Sequence, residues 1–280
     1  MAKLRISGDS SGYVDLEAPN AASSSTLDLD QIPQKNATTT AFTGSHMVIG
    51  DSTIGNAHAN ADDLVIGNTS SGKRSGLTIV TASDQDGAII WSDGTSSGNA
   101  NIQGQLVYNH PDNSMRFYTA VSEGMRISGD GHVTTPKQPG FEVTLSSPTA
   151  AATGTYTIPF NTSRLNRGSH FDTATGVFTA PVAGFYHFDC QILLNGVSNT
   201  DDGLHVAFYQ NSTHKSYFNL RAPGESANGS VGYGEYLPVI GTVSSYMNAN
   251  DTMRVVVQAG AGSVGVHSLD WCSFSGFLIG

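Results

Sequence analysis

The chain is 280 residues long, carries 13 Lys and Arg against 23 Asp and Glu for a formal charge of −10, and is only 13% charged. Cations scattered singly over an acidic chain exclude the concentrated basic face that nucleic acid or an anionic membrane demands, and no 18-residue apolar run exists to span a bilayer. With 32 glycines, much Ser, Thr, Asn and Ala, and no long runs of Leu, Glu or Lys, the composition predicts an all-β protein with room for two domains.

The first residues, Met1 to Asp9, lack an apolar core of the kind that directs secretion, so no secretory signal is expected. Gly8-Asp9-Ser10-Ser11-Gly12 resembles a serine-protease signature but has no domain around it, and reads as a turn. Residues 18–45, rich in Ala, Ser, Asn and Thr, read as an arm or loop. Two echoes follow. Leu4-Arg5-Ile6-Ser7-Gly8-Asp9 recurs as Met125-Arg126-Ile127-Ser128-Gly129-Asp130, each copy followed by a Gly and then a Val. Met47-Val48-Ile49-Gly50-Asp51 recurs 17 residues on, from 47 to 64, as Leu64-Val65-Ile66-Gly67-Asn68. Repeats this short point to β-structure extended in small increments. Its open edges invite pairing with identical neighbours around an axis.

Between Gly76 and Val133 a series of short strands is expected: Gly76 to Val80, Gly87 to Gly94, Leu106 to His110, Ser114 to Tyr118 and Met125 to Ser128. Their order, closing on M-R-I-x-x-x-G-x-V at Met125 to Val133, resembles a module of bacteriophage tail-fibre and virion-surface proteins. That resemblance implies an N-terminal virion-anchoring arm over 1–45, a trimeric β-rich shaft over 46–137, and a protein made in a bacterial cytoplasm and displayed on a virion surface. A boundary follows at Thr134-Thr135-Pro136-Lys137-Gln138-Pro139-Gly140, where two prolines and a glycine predict a short stiff hinge.

Beyond it, Asp172 to Gly176 carry turn chemistry, Asp and Thr capping their own backbone and Gly tolerating positive φ. Pro181 ends a strand because it cannot donate to a ladder. From Tyr186 the alternation is strict, with Tyr186, Phe188, Cys190, Ile192 and Leu194 on one face and His187, Asp189 and Gln191 on the other, the period of a half-buried strand. The run Gly176 to Phe188, fitting G-x-F-T-A-P-x-x-G-x-Y-x-F, the polar turn and apolar strand from Asn250 to Val257, and the closing Phe274-Ser275-Gly276-Phe277-Leu278 occur in the order found in C1q/TNF-like heads, and residues 138–280 resemble that superfamily. The resemblance implies a ten-stranded jelly-roll sandwich, a tight trimer and recognition through surface loops, with no enzymatic activity; the collagen stalk of the animal relatives is missing. The expected core is Phe178, Tyr186, Phe188, Cys190, Ile192, Met253, Val255, Val257, Cys272, Phe274 and Leu278. Phe274, Gly276 and Leu278 should face one side of the last strand and Trp271, Phe277 and Ile279 the other, so both sides need cover, the second from a neighbouring subunit.

Motifs of catalysis and metal binding fail on context. Gly94-Thr95-Ser96-Ser97-Gly98 fits a nucleophile-elbow pattern but runs into an Asn-rich turn instead of a helix. The nine histidines form no H-x-H or H-x-x-x-H pair. Asp201-Asp202-Gly203 could bind calcium, as the resemblance implies for some relatives, but two adjacent loop carboxylates read first as solvated turn residues, since calcium takes six to eight oxygens, and Cys190 and Cys272 read as small buried thiols. No catalytic, cofactor-binding or metal-binding residue is assigned. Tyr209, Tyr217, Phe218, Tyr233, Tyr236 and Tyr246 form a group suited to carbohydrate or protein recognition from loops, unless they fill the sandwich or a trimer seam. Long polar loops at 195–203 and 221–234 are the expected adhesive elements. The expected function is a non-enzymatic homotrimeric phage fibre or spike: a tail fibre reading a host glycan or protein, alternatively a capsid decoration protein or head fibre, or, third, a secreted C1q-like lectin.

Overall fold

The computed structural model describes residues 3–7, 13–17, 47–50, 64–67, 71–72, 74–94, 98–197, 204–220, 236–268 and 271–280. The chain divides into two units, Met1–Ile79 and Val80–Gly280. In the first, β1 (Lys3–Ser7) and β2 (Tyr13–Glu17) form an antiparallel hairpin in which Ile6 pairs with Val14. The strands β3 (Met47–Gly50) and β4 (Leu64–Gly67) pair in parallel, Met47 against Leu64 through Gly50 against Gly67. The echo in the sequence is therefore a physical register: each residue lies beside its own repeat.

The second unit opens with an antiparallel meander of five strands, β5 (Asp86–Trp91), β6 (Gly104–Asn109), β7 (Ser114–Thr119), β8 (Ser122–Ile127) and β9 (Val133–Thr134). In β8–β9, Ile127 pairs with Val133, the same hairpin logic as Ile6 and Val14. Thus the repeated R-I-S-G-D motif is a repeated hairpin. Arg116 and Arg126 face each other directly across β7 and β8. Like charges so placed repel, and Asp112 and Glu123 offset them, Arg116 and Arg126 both reaching Asp112 and Arg126 also meeting Glu123 at 2.8 Å. Within residues 80–138 only Val107 and Ser114 are buried among the described residues. Gly76 to Val80, expected as a strand, is not one, and Leu77, Ile79 and Val80 are exposed; the segment has no ladder partner among the described residues.

Residues 140–278 form a two-layered antiparallel sandwich of eleven strands, where ten were expected, the shortest being the two-residue β13 paired with β14. The strands are β10 (Gly140–Thr144), β11 (Ala152–Thr157), β12 (Thr162–Arg167), β13 (Phe171–Asp172), β14 (Val177–Thr179), β15 (Gly184–Asn195), β16 (His205–Gln210), β17 (Thr213–Leu220), β18 (Tyr236–Met247), β19 (Thr252–Val266) and β20 (Ser273–Leu278). One layer runs β12-β10-β20-β15-β18. The other runs β17-β16-β19, with β11 and the short pair β14-β13 along the far edge of β19. At its far end β19 crosses to the first layer, pairing Val266 with Leu194.

The alternation of β15 is realised residue by residue, with Tyr186, Phe188, Cys190, Ile192 and Leu194 all buried. The rest of the expected core is buried too, apart from Leu278, which packs partly exposed at its margin. Phe141 is the hub of the aromatic packing, its ring centroid 4.8 Å from Phe171, 5.0 Å from Phe178 and 4.9 Å from Phe274. The turn before β14 has the chemistry its sequence promised: Asp172 accepts from the Ala174 amide and the Thr175 hydroxyl. Gly176, at φ 74°, sits where a side chain would strike the Ile158 carbonyl. Before the sandwich, Gln138 donates to the Leu278 carbonyl at 2.9 Å and Leu278 N–H donates to the Pro139 carbonyl, so this stretch is fastened to the last strand.

Candidate interaction faces

Because alternate residues of β15 and β20 point into the sandwich, the others line the outer face of the first layer. Register places Phe185 opposite Tyr246, His187 opposite Phe277 and Ser244, and Gln191 opposite Ile240. Phe185, Tyr246, Phe277, Ile240, Trp271 and Ile279 are each more than half exposed. Isolated exposed apolar residues are ordinary, but six aromatic or aliphatic side chains on one sheet face mark an interaction surface. They also pack on one another, the Phe185 and Tyr246 rings with centroids 6.0 Å apart and an interplanar angle of 66°.

His187 stands at the centre of this face. Its Nδ1 lies 2.9 Å from the Ser244 hydroxyl, its Nε2 lies 3.0 Å from the Asp189 carboxylate, and its ring lies 5.4 Å from Phe277. These partners hold the imidazole in place among the exposed apolar side chains. A shallow groove lined by Thr135, Gln138, Leu165, Arg167 and Phe277 borders the same face where the chain enters the sandwich.

The tyrosine group expected on loops lies on strands instead. Tyr209 is on β16, Tyr217 and Phe218 on β17, and Tyr236 and Tyr246 on β18. Strand pairing holds these rings, Tyr246 opposite Phe185 and Tyr217 opposite Ala207. Phe218 lies tilted against Phe208, centroids 4.8 Å apart, and packs against the core, whereas Tyr236 and Tyr246 belong to the first face. Tyr209 and Tyr217 belong to the opposite layer. Tyr233, Asp201-Asp202-Gly203, Ser96, most of the 195–203 loop and the whole 221–234 loop lie outside the described residues. Among the described residues no three or more His, Cys, Asp or Glu side chains gather as a metal site. Both cysteine thiols are buried; burial pushes the Cys190 thiol well up, with Cys272 adding to the shift.

Residues 140–279 match the family model for the C1q domain. Among solved structures, the globular domain of zebrafish complement 1qA protein aligns at 20% identity, covering 51% of this chain and 98% of that one, with a TM-score of 0.37. Murine APRIL at pH 8.0 aligns at 14% identity, covering 51% and 100%, with a TM-score of 0.36. Eiger TNF from S. frugiperda aligns at 9% identity, covering 51% and 94%, with a TM-score of 0.38. No curated protein matches the chain.

Proposed function

The chain belongs to the C1q domain family, and on that premise we propose that it is a homotrimeric bacteriophage virion protein whose head adheres to the host surface. The observation that carries the reading is the apolar outer face of β15, β18 and β20. Domains of this family form homotrimers, and a sheet face bearing Phe185, Ile240, Tyr246 and Phe277 in the open is what a closed three-fold contact would bury. The family's domains are typically binding domains without enzymatic activity, and adhesion needs no reaction: three identical heads turn weak single contacts into avidity.

The phage assignment is supported by the N-terminal half. Its repeated hairpins and its parallel, self-registered β3–β4 pair suit a shaft built in increments. The β5–β9 meander exposes Ile89, Ile90, Trp91 and Phe117. Consecutive Ile89, Ile90 and Trp91 put apolar groups on both faces of one strand, and an apolar sheet face calls for a second layer against it. Cover from two further copies of the chain supplies the missing core of a trimeric shaft.

The test is the protein's location and role on intact particles. Gold-labelled antibody against the head, viewed by electron microscopy, should mark the tips of tail fibres. Particles carrying a shortened 221–234 loop should assemble normally and adsorb poorly. Label on the capsid with unchanged adsorption would replace the receptor-binding reading with capsid decoration, and absence from particles would end the virion reading.

A further inference from the structure

The outer face of the second layer carries a different surface. On β16, Val206, Phe208 and Gln210 are buried, so His205, Ala207 and Tyr209 point outward. Register sets Tyr217 beside Ala207, His214 beside Tyr209, and Arg254 of β19 on the other flank of Tyr209. The rings form one continuous run. His205 lies 5.4 Å from Tyr217, Tyr217 4.7 Å from His214, and His214 6.3 Å from Tyr209, with the Arg254 guanidinium 6.0 Å over the Tyr209 ring. Beneath them Ala207 and Val256, paired with each other, are 1% and 3% exposed, a flat apolar floor.

Three features separate this surface from ordinary strand packing. The β16–β17 register slips twice, between Val206 and Ala207 and between Phe208 and Tyr209, and bulges re-aim side chains. The Arg254 guanidinium makes no ion pair among the described residues, in a chain whose net charge is −10; Lys215, on the neighbouring strand, is exposed. Finally, His205 Nδ1 and Arg254 Nε have no hydrogen-bond partner among the described residues. Buried polar groups are normally satisfied, so these two atoms lack the bond their burial calls for, while their side chains pack on Tyr217 and Tyr209.

We propose that the His205–Tyr217–His214–Tyr209–Arg254 platform is a saccharide-binding site for acidic sugars. This rests on the adhesive reading above. The face of a pyranose ring presents polarised C–H bonds, and tilted aromatic faces carry the negative side of their quadrupole toward them. Rigid tyrosines ordered on strands give that contact at little entropy cost. Arg254 recognises a ring carboxylate as a planar fork, and Lys215 adds a second positive charge at the rim. A neutral sugar would leave the guanidinium unused. Because the platform lies on the layer opposite the apolar face of β15, β18 and β20, trimer contacts through that face leave it open.

Full-length protein is passed over immobilised polygalacturonate, dextran and poly-glutamate, with native mass and melting temperature checked for every variant. Retention is expected on polygalacturonate, weaker on dextran, and falling with salt. Arg254→Gln should weaken polygalacturonate binding about tenfold, the loss of one charge-assisted hydrogen bond, while leaving dextran unchanged. Tyr217→Ala should weaken both, and Tyr217→Phe should restore both. On the unaltered protein, saturating the aromatic protons in NMR should transfer to the C–H protons of galacturonate oligomers, a readout independent of any variant's folding. No retention on either polysaccharide overturns the site, as does retention that both variants leave unchanged. Equal capture by poly-glutamate, insensitive to Tyr217→Ala, would show a simple charged patch and overturn the saccharide assignment. Particles that adsorb through the head without binding polygalacturonate would remove this site and leave adhesion standing. Polygalacturonate binding by a protein absent from virions would do the reverse.

Discussion

The ring of Phe188 occupies the space that a side chain at Gly276 would need, and Phe141 closes the other side of the same gap. Gly276 pairs with Phe188 across β15–β20 and with Phe141 across β10–β20. The glycine in the closing Phe-Ser-Gly-Phe-Leu run is thus the complement of two phenylalanines contributed by other strands. Gly276→Ala should destabilise the head by about 1–3 kcal/mol through overpacking, and Phe188→Ala by about 3–5 kcal/mol through cavity formation. Denaturant unfolding followed by tyrosine fluorescence reads both. A Gly276→Ala protein of unaltered stability would mean that these rings do not close over the strand.

Native-state light scattering should give three times the mass of one chain. Ile240→Glu with Phe277→Glu, both on the outer face of the first layer, should yield a lower oligomer that is still folded, because neither side chain belongs to the core. Unfavourable burial of two charges per subunit drives that outcome. A wild-type monomer would falsify the trimer and the assembly role of this face together.

Acid should weaken the head through Asp251. The Asn211 side-chain amide, the Asn248 backbone N–H and the Gln210 side-chain amide hold this carboxyl below its usual range. These bonds tie the turn between β16 and β17 to the turn between β18 and β19. The folded pKa lies below the unfolded value of about 3.9. Its contribution is therefore present above that value and lost as pH falls through the folded pKa. Unfolding midpoints measured near neutrality and in acid should show a smaller acid loss in Asp251→Asn than in the wild type. Equal losses would assign the acid sensitivity to other carboxylates, such as Asp172, which Thr175 also holds low.

Much of the sandwich was legible because its strands alternate. In β15 every second residue from Tyr186 is large and apolar, and this pattern alone sets which side is core. The closing motif likewise separated Phe274 from Phe277 correctly. The outer platform was not legible, for two reasons. Tyr209, Tyr217 and Arg254 come from three strands whose pairing includes two bulges, and no local pattern announces a bulge of that kind. The strand expected at Gly76 to Val80 failed for the opposite reason, since a suitable local pattern cannot supply a pairing partner.

The two cysteines should resist modification in the native protein. Cys190 is 1% and Cys272 2% exposed, and the thiolate is the reactive form that burial of Cys190 suppresses. A thiol titration should find no reactive group in native buffer and both after denaturation. Rapid labelling of the native protein would show that the layers open at that end of β15.

The sandwich begins and ends at one place. Gly140 pairs with Phe277, Gln138 binds the carbonyl of Leu278, and the Phe185 amide donates to the carbonyl of Gly280. A domain whose two ends meet can be lifted out and replaced with little disturbance to what carries it. Recombination at the Pro136–Gly140 junction would exchange one head for another as a cassette, keeping the supporting strands. Anything joined to Gly280 emerges beside that junction, leaving the opposite end of the sandwich unobstructed.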